Sequence, residues 1–180
     1  MSRTRVMQAL LWASTLAWAV GLGAKLFDLV VVAGAWGASP PGSFALLPYG
    51  SKYPVTPGGF FQPLSAVMAL AMLGALVAGW RQPRPLRHWL ITGAVAFVLI
   101  WAITPTVFWP MINEQYSIAT GKASVSVPEA VHLTTRWIAW DSFRIALIAI
   151  GFIASVRSLT LATPGLPPDA TISGPRKRSA

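Results

Sequence analysis

Four long apolar runs constrain this chain more than any other feature. The first extends from about Val6 to Trp36 and is interrupted only by Gln8, Lys25 and Asp28. About 20 apolar residues suffice to cross the hydrocarbon layer of a bilayer. Arg3 and Arg5 ahead of the run raise the alternative of a signal peptide. The apolar part of a signal peptide is about 7–15 residues long, and this run is roughly twice that, so we read a retained span. Further runs follow at about 63–80, 89–109 and 130–157. Only 11% of the residues are charged, 54% are hydrophobic, and the mean hydropathy is +0.59. That mixture excludes a disordered chain, and too few charges remain to solvate a soluble globule. The expected fold is all-α: an integral membrane four-helix bundle over residues 1–162, with 163–180 a disordered cytoplasmic tail.

The loops carry the topology. Residues 37–62 read as a long loop, because Pro40, Pro41, Pro48, Pro54 and Pro57 block a helix and Thr56-Pro57-Gly58-Gly59 reads as a turn. Its aromatics suggest that it folds over the bundle or onto the membrane surface. Residues 110–130 form the next loop. The second span is rich in small residues, and Gly74 with Ala78 allows close helix approach. It also leaves a homo-oligomer or a larger membrane complex open. Arg3, Arg5, Arg81, Arg84, Arg87, Arg157, Arg176, Lys177 and Arg178 all fall on one side of a four-span chain. The positive-inside rule puts that side, with both termini, in the cytoplasm. The net charge of +9 is thus a topology signal, and no nucleic acid partner is expected. The partners implied are the lipid bilayer and a hydrophobic small molecule. The expected location is a bacterial cytoplasmic (inner) membrane, crossed in multiple passes.

Ionisable groups within a bilayer are costly and call for a function or a partner. Lys25 and Asp28 are spaced i, i+3 on the first span, as are Asp141 and Arg144 on the fourth. At about 1.5 Å of rise per residue, Lys25 lies about 27 Å from the cytoplasmic start, and Arg144 and Asp141 lie about 20 and 24 Å up. Trp109 lies about 30 Å up the third span, with Asn113 and Glu114 just beyond. These groups share one level, which predicts a polar, Trp-lined pocket opening towards the extracytoplasmic face. The candidates that act on substrate are Asp141, Arg144, Asn113 and Glu114. Lys25, Asp28, Trp109, Trp137, Trp140, His132 and Arg136 are candidates for holding it. The plainer alternatives are a self-neutralised Lys25–Asp28 pair near the headgroups and tryptophans that only form an interfacial belt. His88, among cytoplasmic arginines, reads as topological. No cysteine is present, so thiol redox chemistry, thiolate metal sites and iron–sulfur clusters are excluded. The two histidines lie at opposite faces and cannot share a metal, and no metal site is expected.

The first-span stretch Gly-Leu-Gly-Ala-Lys-Leu-Phe-Asp-Leu, Trp36 followed by Ser39-Pro40-Pro41, and the stretch from Thr104 to Asn113 together resemble the anthrone oxygenase-like family of small membrane proteins. Trp140-Asp141-Ser142-Phe143-Arg144 resembles that family's fourth-helix motif, which more often has Asn where Asp141 stands. The resemblance covers about residues 15–155. It implies oxidation of an anthrone to an anthraquinone with O₂ and no cofactor. A base must remove a proton from the anthrone CH₂, and a cation or donor must stabilise the anion. Asp141 or Glu114 would supply the base, and Arg144, Lys25 or Asn113 the stabilising group. Trp109, Trp137 and Trp140 would stack the rings. A non-enzymatic accessory subunit or lipid-binding protein is the alternative. A transporter is disfavoured, because four spans show neither inverted repeats nor broken helices.

Overall fold

The computed structural model describes residues 3–48 and 54–163. Its four long helices are α1 (Arg3–Trp36), α2 (Pro57–Gly79), α3 (Arg84–Ala119) and α4 (Val127–Ala162), each long and apolar enough to cross a membrane. They pack in a ring: α1 lies against α2 and α4, and α3 lies against α2 and α4. The start of α1 and the end of α4 meet at one end of the bundle, where Gln8 Nε2 donates to the Ala162 carbonyl at 3.0 Å. Arg3, at that same end, donates to the Val77 and Ala78 carbonyls, each at 2.9 Å. It thereby satisfies carbonyls that the last turn of α2 leaves open. The segment expected as a disordered tail, apart from Thr163, lies outside the described residues, as does Lys52.

Two helices begin or end elsewhere than the sequence predicts. The loop expected over 37–62 stops earlier, because α2 starts at Pro57. Thr56 caps it by accepting the Gly59 N–H at 3.1 Å, and Pro57 occupies the first turn, where no N–H is needed. The Thr56–Gly59 stretch is therefore a helix start, and Pro63 sits inside α2. The loop expected over 110–130 is mostly helix: α3 continues through Pro105 and Pro110 to Ala119. A π-helical segment, Thr104–Phe108, absorbs the first proline, and the Trp109 N–H reaches back five residues to the Thr104 carbonyl. The hydroxyls of Thr104 and Thr106 donate to the Ile100 and Ala102 carbonyls at 2.8 and 2.7 Å. These hydroxyls add donors to backbone carbonyls beside the proline. Gly121, in the left-handed region at φ 71°, ends the helix. The α4 start agrees with its capping box, in which the Ser126 N–H and hydroxyl donate to Glu129 at 3.0 and 2.7 Å.

The core divides along the bundle axis. Nearer the start of α1, Met7, Leu11, Trp18, Met72 and Leu90 form one apolar cluster. At the other end, Trp36, Phe44, Phe108, Met111 and Trp137 form a second. The loop after α1 contributes Phe44 and Leu47 to it, so this loop folds over the bundle. Ser43 holds the fold-back by donating to the Trp36 carbonyl at 2.5 Å. In α1 the inward stripe runs Met7, Leu11, Ser14, Trp18, Gly21, Lys25, at helical spacing. A second π segment, Asp28–Ala33, then adds a residue to the turn and moves the stripe to Ala33 and Trp36.

The α1–α4 contact depends on one glycine. A Cβ on Gly151 would overlap the fully buried ring of Trp18. A rigid indole between two helices cannot swing aside. Gly151→Ala is expected to cost about 1–3 kcal/mol through overpacking, measured as a lowered melting temperature in detergent. Gly23→Ala, where a Cβ meets nothing within 4 Å, is the control and is expected to leave stability unchanged or slightly raised.

Candidate functional site

Four ionisable side chains meet between the two apolar clusters. Asp141 lies on the inward stripe of α4, one turn beyond Trp137, and is 0% exposed. Its Oδ1 accepts from Lys25 Nζ at 3.1 Å and from Arg144 Nε at 2.9 Å, with Arg144 NH2 as a further donor to the same oxygen. Lys25 Nζ also donates to Asp28 Oδ2 at 2.5 Å. Two carboxylates and two cations form one formally neutral chain, Asp28–Lys25–Asp141–Arg144. Neutrality matters here because an isolated charge in this medium pays a large desolvation cost. Aromatic faces complete the cations' surroundings. Lys25 Nζ lies 5.3 Å from the Phe61 ring centre and 5.5 Å from that of Trp137, and the Arg144 guanidinium carbon lies 3.6 Å from that of Phe108.

A cavity of about 580 Å³ lies against this network, walled by all four helices and the fold-back loop. Lys25, Asp28 and Arg144 line it; Asp141 stands behind them, enclosed by the cations it holds. Most of the wall is apolar and aromatic, including Phe61, Met68, Phe97, Phe108 and Trp137. On the wall formed by α2 and α3 the lining residues Trp101 and Trp109 are 68% and 56% exposed. Both rings therefore reach from the cavity to the outer face of α3.

The structure sorts the residues named from sequence. Lys25, Asp28, Trp109, Trp137 and Arg144 line the cavity, and Asp141 braces two of them. Asn113, Glu114, His132 and Arg136 are exposed and are not among the lining residues. Because α3 continues through Pro110, Asn113 and Glu114 fall on its outer face, while the next residue turns inward. Trp140 is half-buried, packs edge-on against Phe143 at 6.0 Å, and is likewise outside the lining.

That inward residue is Gln115, which sequence reasoning missed. It is 1% exposed, lines the cavity, and its Nε2 has no hydrogen-bond partner among the described residues. The signal was present, since Phe108, Met111 and Gln115 keep helical spacing, but it was hidden by reading Pro110 as the helix end. Phe61 was missed for a related reason, having been placed in a loop rather than on α2.

This is a four-helix bundle whose helices are long and apolar enough to span a membrane, with charged groups beside an apolar chamber. The sequence profile of the anthrone oxygenase family matches residues 57–154, more than half of the chain. The chain belongs to that family. The matched stretch holds Gln115, Trp137, Asp141 and Arg144; Lys25 and Asp28 come from α1, which precedes it. No curated protein and no solved structure matches the chain.

Proposed function

We propose that this protein is a membrane oxygenase that oxidises a flat, hydrophobic anthrone-like substrate with O₂ inside the chamber. The carrying observation is the pairing of a 580 Å³ apolar chamber with a floor of one exposed-to-cavity carboxylate and two cations. Pockets of about 300–1,000 Å³ hold a ligand of this size. The apolar and aromatic lining among membrane-length helices suits a substrate that partitions into the bilayer. If the basic end of the bundle is cytoplasmic, the chamber lies towards the outer leaflet.

The division of labour follows from which groups reach the cavity. Asp28 is the base, since it is the carboxylate on the lining. It takes one proton from the anthrone CH₂, and the electron pair spreads through the rings onto the carbonyl oxygen. Arg144 and Lys25 stabilise that oxygen's charge. The carbanion passes electrons to O₂ and forms a C–O bond, giving a peroxide that recovers the proton from Asp28. Loss of water breaks the O–O bond, removes the second C–H hydrogen, and leaves a ketone. Anthrone and O₂ become anthraquinone and water, so the balance closes with O₂ as the only co-reactant. Asp141 is a positioning residue: it fixes both cations without touching substrate. Phe61, Phe108 and Trp137 enclose the rings.

The test is turnover of 9-anthrone by the purified protein in lipid nanodiscs. Anthraquinone should form well above the rate of protein-free autoxidation, and ¹⁸O₂ should place one heavy oxygen in the product. A rate equal to that of empty nanodiscs would reject the oxygenase reading and leave a binding or accessory role.

A further inference from the structure

A second hollow, of about 560 Å³, runs along the outside of the bundle between α1 and α2, and it shares no lining residue with the chamber. Gly74 and Ala78, one turn apart on α2, keep it clear, because neither carries a side chain beyond Cβ. Leu70, Leu73 and Val77 stand along it on α2, and Val6 and Leu10 on α1. Leu70 and Val77 are 73% and 71% exposed, so the furrow is open to the medium around the helices. Arg3 lines it too. Arg3 Nε and Nη2 donate to the Ala78 and Val77 carbonyls, each at 2.9 Å, which pins the guanidinium over the last turn of α2.

Charge and length say what fits. A guanidinium has further N–H donors beyond the two that Arg3 spends on carbonyls, and among the described residues Arg3 has no acidic partner. The described carboxylates, Asp28, Glu114, Glu129 and Asp141, stand at the chamber or beyond it, whereas Arg81, Arg84 and Arg87 share the end of the bundle with Arg3. Trp80 at that end is 54% exposed, with the Arg87 guanidinium carbon 5.9 Å from its ring centre. An exposed tryptophan among arginines marks the headgroup level. From Ala78 to Leu70, α2 rises about 12 Å, close to half of a hydrocarbon core about 30 Å thick. The furrow thus begins at a cation among headgroups and ends near the midplane, which is the reach of one leaflet. A second copy fits this face poorly. A Cβ on Gly74 would meet Leu10 Cδ1 at 3.1 Å, so the small pair on α2 is already spent on α1. Two copies in one membrane share an orientation, so pairing here would also set Arg3 and Arg81 against their own counterparts.

We propose that the α1–α2 furrow holds one anionic phospholipid from the leaflet at the basic end of the bundle. Its phosphate accepts from the Arg3 guanidinium, a charge-assisted contact for which arginine is well shaped. One acyl chain lies along Val77, Leu73 and Leu70. The surrounding arginines favour a headgroup of net negative charge over one that carries its own ammonium. This site lies apart from the chamber and does not depend on the oxygenase reading.

The experiment titrates the full-length protein in detergent with two lipids of identical acyl chains, a phosphatidylglycerol and a phosphatidylcholine, and counts bound lipid by native mass spectrometry. Wild type should take up one phosphatidylglycerol about fivefold or more tightly than phosphatidylcholine, the weight of roughly one arginine at a membrane surface. Arg3→Gln, which keeps an N–H donor for the α2 carbonyls, should lose that preference. Arg84→Gln removes the same charge from the same end but outside the furrow, and should keep the preference to within about twofold. Equal loss in both variants would mean a diffuse basic surface and overturn the site, as would an unchanged preference in Arg3→Gln. A second measurement needs no variant. A phosphatidylglycerol with a diazirine midway along one acyl chain, photolysed on wild type in nanodiscs, should label residues 70–77 of α2 or 6–10 of α1. Labelling spread evenly over the four helices, or a dimer whose mass excludes the lipid, would also overturn it.

Discussion

Replacing Asp141 with alanine is expected to lower stability by about 3–5 kcal/mol, the typical cost of removing one partner from a buried ion pair. The reason is specific to this network. Asp141 Oδ1 is shared by Lys25 and Arg144, so its loss leaves a net positive charge in a region almost closed to solvent. The expected observation is aggregation on extraction, or a melting transition well below wild type. Asp141→Asn should be far milder, since an amide oxygen still accepts from Arg144 and Lys25 retains Asp28. The double variant Asp141→Leu, Arg144→Met provides the decisive control. It removes a whole neutral pair and leaves the Lys25–Asp28 pair intact, so stability should return most of the way. If the double variant is as unstable as Asp141→Ala, lost packing and not an unpaired charge is the cause.

Asp28→Asn is expected to fold normally and to lose turnover by about 10²–10⁴-fold, the usual contribution of a positioned general base. Folding survives because an amide oxygen still accepts from Lys25, Lys25 keeps Asp141 as its anion at 3.1 Å, and position 28 borders the cavity where Asp141 is fully buried. Binding of anthraquinone should change little, since ring contacts and the other polar groups remain. The measurement is anthrone oxidation in nanodiscs beside a titration of anthraquinone followed by tryptophan fluorescence. Turnover within tenfold of wild type would remove Asp28 from the chemistry and return the base assignment to an open question. The two variants together also separate roles. Asp141 should act on stability, and Asp28 on rate.

Much of this molecule was legible along the chain. The apolar runs announced four spans, because a bilayer accepts little else than a long apolar helix with its backbone satisfied internally. The i, i+3 pairs Lys25–Asp28 and Asp141–Arg144 could be seen, and their shared level followed from helix rise alone. The helix ends were less legible. Pro57 and Pro110 read as breaks, yet each sits where a missing N–H does little harm: in a first turn, or just after a π segment that also takes in Pro105. That misreading concealed Phe61 and Gln115 and set Asn113 and Glu114 in the wrong company.

The local rules of chain and solvent determined that this protein is a four-span bundle, at what height its charges stand, and which pairs lie on one helical face. Tertiary structure alone decided that Lys25 crosses from its own helix to Asp141. It also decided that Asp28 faces the chamber while Asp141 is sealed behind it, and that Gln115 turns inward. Periodicity reports a residue's angle about its own axis. Which neighbour waits at that angle depends on how four helices and two π turns are rotated against one another, and that is settled only when they pack.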